Sequence, residues 1–90
     1  APDYVLVHQD IYEKFSQELT KTITEFYGSD PKASDSYGRV VNSSHFDRLQ
    51  KIVEPSKVIM SSPSVREENF MAPTVMKDVS WSDRVMEEEI

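Results

Sequence analysis

Ninety residues with 16 Asp+Glu against 10 Lys+Arg carry a formal net charge of −6, and with no Lys/Arg stripe to offset it that balance argues against nucleic-acid binding. The absence of cysteine excludes a disulfide staple, a thiolate metal site and a cysteine nucleophile within these residues. The longest apolar run is the four residues Tyr4 to Val7, far short of the roughly 20 that cross a bilayer, and nothing in the first ten residues resembles a signal peptide.

Tyr4-Val5-Leu6-Val7-His8 is short, continuous and rich in β-branched residues, the pattern of a strand covered on both faces of an α/β sheet. Asp10, with Glu13 three residues on, resembles a capping box and opens a helix over 10–27. Its stripe is Ile11, Phe15, Leu19, Ile23 and Phe26, and Gly28 is the natural stop because it takes a left-handed C′ conformation without a Cβ clash. Residues 29–36 form a polar loop, and Tyr37-Gly38-Arg39-Val40-Val41 is too short to assign to an element, a loop packed on the core being one option. A second helix follows, with Asn42 or Ser43 as N-cap and Phe46, Leu49, Ile52 and Val53 on one face. Pro55 ends it.

Lys57-Val58-Ile59-Met60 reads as a buried strand, 61–69 as a polar turn, and 70–79 as an extended segment with an edge or bulge at Pro73. Residues 81–90 start polar and end acidic. The order β-α-α-β-β predicts an α/β layer that is incomplete by itself, with apolar runs that expect neighbouring chain. The ends, Ala-Pro-Asp-Tyr and Glu-Glu-Glu-Ile, read as cut through structure, so the expectation is one segment of a larger protein.

Chemistry is sparse. His8 and His45 share no spacing and lack the three or four partners a zinc site needs, so they read as surface or capping histidines. Ser43, Ser44, His45 and Asp47 hold the ingredients of a triad, but neighbouring helix positions point different ways and cannot build nucleophile–base geometry. They read as helix capping with an acidic first turn. Two distant glycines leave no Gly-rich phosphate loop. Met60, Met71, Met76 and Met86 read as adaptable core filler, and Glu87, Glu88 and Glu89 as a solvated run. From the residues alone, a non-catalytic acidic α/β interaction module stands beside a piece of an enzyme.

Ala1-Pro2-Asp3-Tyr4-Val5-Leu6 resembles the segment directly after the catalytic cysteine in the class 3-like (aromatic and fatty aldehyde) branch of the aldehyde dehydrogenase superfamily. The likeness continues in order through Phe26-Tyr27-Gly28, Tyr37-Gly38-Arg39-Val40-Val41 and His45-Phe46-Asp47-Arg48-Leu49. Ala72-Pro73-Thr74-Val75-Met76-Lys77-Asp78-Val79 and Val85-Met86-Glu87-Glu88-Glu89-Ile90 complete it. Met60-Ser61-Ser62-Pro63-Ser64 departs from the pattern, since relatives often carry glycines there.

The resemblance implies a partial catalytic-domain layer of that fold over 1–90. The nucleophilic cysteine is expected two residues before Ala1 and a Phe-Gly-Pro after Ile90. It implies a parent enzyme that oxidises aldehydes to carboxylic acids with NAD or NADP through a cysteine thioester. No catalytic residue is expected within this chain. Glu89 matches the carboxylate that accepts hydrogen bonds from the nicotinamide ribose hydroxyls, while Ala1, Pro2 and Asp3 support the nucleophile's C-terminal side. Further expectations are an aldehyde substrate, no metal, a homo-oligomeric parent, a cytoplasmic or other reducing compartment, and cover for the sheet from the rest of the polypeptide.

Overall fold

The computed structural model describes residues 2–90; the expectation for Ala1 lies outside them. Two helices, α1 (Tyr12–Tyr27) and α2 (Ser43–Ile52), precede an antiparallel pair, β1 (Val58–Met60) and β2 (Val75–Met76). Short 3-10 turns link them at Gln9–Ile11, Pro31–Ala33, Pro55–Lys57, Arg66–Glu68 and Arg84–Met86. The expected α/β layer is present as an open two-stranded sheet. Residues 4–8 form no ladder with any described residue, and Leu6 is 78% exposed. A strand exists only where a neighbour accepts and donates its main-chain hydrogen bonds, and none of the described residues pairs with the main chain of this run in that way.

The start of α1 differs from the capping box expected at Asp10. His8 does the capping: its Nδ1 accepts the Asp10 N–H at 3.2 Å, a 3-10 turn follows, and Ile11 stands at the helix N-cap with no side-chain cap bond. Glu13 is thereby free to turn outward, where it pairs with Lys77. The predicted stripe is half-buried at Phe15, Leu19 and Ile23, while Ile11 and Phe26 at its ends are exposed. Gly28 closes the helix at φ 76° and donates to the Thr24 carbonyl at 2.8 Å, a conformation that would strain any residue with a Cβ.

Asn42 caps α2, its side chain accepting the His45 N–H at 2.9 Å. Phe46 is 2% exposed, and Leu49, Ile52 and Val53 follow it on the half-buried face. Asp47 does not serve the first turn as expected; it lies one turn on and takes a bidentate pair of bonds from Arg66 at 2.7 and 2.8 Å. The four methionines are all half-buried, as filler should be.

The core centres on Phe46, Phe70 and Ala72. Asn69, left-handed at φ 50°, reverses the chain so that Val65 and Phe70 exchange main-chain bonds of 2.8 and 3.0 Å. The loop at Tyr37 packs on this turn, the option the sequence leaves open. Tyr37 stands edge-on to Phe70 at 5.8 Å, its hydroxyl donates to the Met71 carbonyl at 2.8 Å, and the Arg39 guanidinium sits 4.8 Å over the Phe70 ring. Burial raises the Tyr37 hydroxyl pKa above its ordinary value. The strand pair slips by one residue between Val58↔Met76 and Met60↔Val75, so the extra, irregular residue is Ile59 on β1, and Pro73 lies outside the pairing.

A side-chain knot holds the C-terminal segment. The Asp83 carboxylate accepts from the Ser80 N–H and hydroxyl, each at 2.9 Å, and from the Lys57 ammonium beside β1. Lys57 is the main cause, with Ser80 second, that holds the Asp83 carboxyl down at about 2.

Two predictions follow from this packing, both for the full-length polypeptide that carries the segment. Phe70→Ala should lower stability by about 3–5 kcal/mol, and Tyr37→Phe, which orphans the Met71 carbonyl, by about 1 kcal/mol, each read from urea denaturation midpoints. Because the folded Asp83 pKa is depressed, its stabilisation is complete above the ordinary carboxylate range and is lost as pH falls toward about 2. The midpoint gap between parent and Asp83→Asn should therefore be widest near neutral pH and close across that window.

Candidate functional site

Two segments far apart in sequence meet at the site: the N-terminal run before α1 and the acidic C-terminal run. Tyr4 and Trp81 pack edge to face with ring centroids 5.8 Å apart. Farther along, the Asp3 carboxylate accepts the Ile90 N–H at 3.1 Å. The chain reaches this point through the Asp83 knot and the turn at Arg84–Met86, in which Met86 and Glu87 donate back to the Asp83 and Arg84 carbonyls.

Arg48 of α2 supplies the other half of the geometry. One guanidinium nitrogen lies 3.3 Å from the Glu88 carboxylate, and the second donates to the Ile90 carbonyl. Glu88, read from sequence as solvated, is thus an exposed ion-pair partner. Glu89 sits between two anchored neighbours. Its own side chain is exposed, and none of the hydrogen bonds or ion pairs among the described residues uses its carboxylate. The helix position of Arg48 explains its reach: it lies on the turn after Phe46, whose burial fixes the orientation of α2.

A free carboxylate on a tethered main chain can accept two hydrogen bonds from a vicinal diol, since an ionised acid is acceptor-only with two oxygens. Such a carboxylate is compatible with a ribose, the group that the family resemblance, not the residue pattern, associates with Glu89. The other chemistry-bearing residues are not gathered here. His8 caps the turn before α1, and His45 stands exposed in the first turn of α2. Among the described residues no three His, Asp or Glu side chains converge as a metal site would require, and no helix is long and apolar enough to cross a membrane.

Residue-by-residue reading missed the parts played by Asp3 and Arg48. Both stand inside the motifs that carry the family resemblance, Ala-Pro-Asp-Tyr and His-Phe-Asp-Arg, but nothing in their spacing reveals that they flank Glu89 in space.

The sequence model of the Aldehyde dehydrogenase family matches residues 1–90. Aldehyde dehydrogenase family 3 member B1 of Rattus norvegicus is 42% identical over all 90 residues, which span 19% of that protein. The dimeric NADP-preferring aldehyde dehydrogenase of Canis lupus familiaris is 40% identical over the same length, 20% of its own. A solved structure, the substrate-bound state of Staphylococcus aureus AldH, superposes with a TM-score of 0.94 at 34% identity, over 99% of this chain and 20% of that one. The chain spans about a fifth of the length of these relatives, and its two helices and open sheet match one part of their larger α/β fold. Sequence and architecture agree over the whole of its length: this chain belongs to the aldehyde dehydrogenase family.

Proposed function

We propose that the polypeptide carrying this segment oxidises aldehydes to carboxylic acids with NAD(P)+ through a cysteine thioester. Within it the segment supplies scaffold and one cofactor contact, Glu89. Family membership over all 90 residues supports the reaction class. The observation that carries the assignment of Glu89 is its exposed, unpartnered carboxylate between two tethered residues. When bound, the nicotinamide cofactor takes up the hydride released by the aldehyde.

The work of this chain is positional. Glu89 holds the ribose hydroxyls so that the ring they carry stays within reach of the reacting carbon, and orientation of that kind lowers barriers by avoiding a search in the transition state. The Asp83 knot and the Tyr4–Trp81 contact keep the acidic run against the segment that follows the nucleophile. The nucleophile itself belongs to the preceding chain in this reading, as does the pyrophosphate site, for which these residues offer no Gly-rich turn. The names of the relatives extend the proposal to a dimeric parent with use of NADP alongside NAD. A thiolate nucleophile suits a reducing intracellular compartment. The class of aldehyde depends on residues outside this segment.

The reading is tested in the full-length polypeptide. Glu89→Gln keeps the size of the side chain but replaces an ionised acceptor by a neutral amide. Bonds to charged groups contribute roughly 1.5–3 kcal/mol, so cofactor affinity or hydride transfer should fall by about tenfold or more. Glu87→Gln should match the parent, as expected of an exposed charge. Pre-steady-state NAD(P)H formation with a deuterated aldehyde reads the hydride step. A normal burst, unchanged affinity and no rise in isotope effect for Glu89→Gln overturn the assignment. Residues 1–90 expressed alone should give no turnover with any aldehyde and either cofactor; turnover that survives repurification would overturn the division of roles.

A further inference from the structure

We propose that Asp3 is a positioning residue for Glu89, clamping the main chain beside the ribose acceptor to the strand-like run that follows the nucleophile. The inference rests on the reading of Glu89 as that acceptor. Its basis is a pair of anchors on either side of one residue. Asp3 accepts the Ile90 N–H at 3.1 Å, and Arg48 bonds both the Glu88 carboxylate and the Ile90 carbonyl. The Ile90 N–H is therefore held by the N-terminal run, while Glu88 is held by α2 through its side chain. Glu89, between them, has an exposed carboxylate with no hydrogen bond or ion pair among the described residues.

Such an arrangement determines the position of the Glu89 Cα without using its carboxylate, which is what a ligand-binding acid requires. Asp3 suits the task because a carboxylate accepts a main-chain N–H more strongly than a neutral oxygen does. Its place in the chain matters equally. A residue on the run that follows the nucleophile ties the acceptor to the reacting centre directly, so a shift in one is transmitted to the other. Pro2 precedes it and restricts the backbone there. The Tyr4–Trp81 contact, one residue along, aligns the same two segments.

The experiment uses the full-length polypeptide with three substitutions: Asp3→Ala, Asp3→Asn and Arg48→Gln. Two activities are compared, aldehyde oxidation and hydrolysis of an activated ester, which acylates a cysteine without hydride transfer. Asp3→Ala should weaken cofactor binding or slow hydride transfer by about three- to tenfold, raise the deuterium isotope effect, and lower ester hydrolysis by clearly less than it lowers hydride transfer. Asp3→Asn, whose amide oxygen still accepts the Ile90 N–H, should recover the parent hydride rate to within about twofold. Arg48→Gln should reproduce the selective loss from the other side, so a failure of Asp3→Ala to fold does not remove the test.

In the double variant Asp3→Ala/Glu89→Gln the losses should not multiply, because both remove the same function. Multiplying losses, an equal fall in ester hydrolysis, or a parent-like hydride rate in both Asp3→Ala and Arg48→Gln overturn the inference. If Glu89→Gln is itself silent, the reading of Glu89 fails first. If Glu89→Gln is impaired while Asp3→Ala and Arg48→Gln are not, only the positioning role fails.

Discussion

The ring of Phe70 is the contact on which the rest of this structure depends. It is 1% exposed, and its neighbours come from three separate stretches of chain. Tyr37 and Arg39 cover it from the loop before α2, Val65 pairs with its main chain, and Tyr27 at the end of α1 reaches it at one remove by packing on Tyr37 at 4.9 Å. A ring of this size gains most of its stabilisation from leaving water, and edge-on aromatic neighbours add to it. Remove it and the turn at Asn69, the Tyr37 hydroxyl and the end of α1 lose their common reference. The fully buried core is small, so each of its members carries a large share of the packing.

Charge pairs do a different job. Arg66 with Asp47, Lys57 with Asp83, Lys77 with Glu13 and Lys32 with Glu68 each join elements distant in sequence. Exposed ion pairs contribute little to stability, so the value of the more exposed ones is register, each telling one segment which part of another to lie against; the more covered Lys57–Asp83 pair adds stability as well. The pairs also account for an acidic chain folding without mutual repulsion. Of the 10 lysines and arginines, Lys32, Arg48, Lys57, Arg66 and Lys77 pair across element boundaries, and carboxylates such as Glu87 and Glu89 are left on the surface.

Much of this was legible from the residues. Gly28, Asn42 and the stripe of Phe46, Leu49 and Ile52 announce their helix ends and faces because capping and periodicity are local properties. Packing of the loop at Tyr37 was legible only as one option, and nothing showed that its hydroxyl would satisfy the Met71 carbonyl. The start of α1 was misread for a local reason: Asp10 and Glu13 satisfy a capping pattern, yet His8 two residues earlier captures the free N–H and starts a 3-10 turn instead. At the candidate site, Glu89 could be found only through the family resemblance, since an acidic run hides one functional carboxylate among its neighbours. Asp3 and Arg48 escaped residue-level reading because their meaning lies in contacts 87 and 40 residues away, and spacing carries no information about such distances.

The grip of α1 on the end of the sheet adds a question of timing. The Tyr12 hydroxyl accepts the Asp78 N–H at 2.8 Å and Glu13 pairs with Lys77, at sequence separations of 66 and 64, while Asp3 and Ile90 are 87 residues apart. A ribosome adding about 5–20 residues per second takes roughly 4–17 s to pass from one end of that last pair to the other. Throughout this interval Tyr4, Val5 and Leu6 have emerged without the segment that will meet them. Closing such long loops costs entropy that only the finished contact returns. The run at Tyr4 therefore stays without these partners until residues 81–90 have been made.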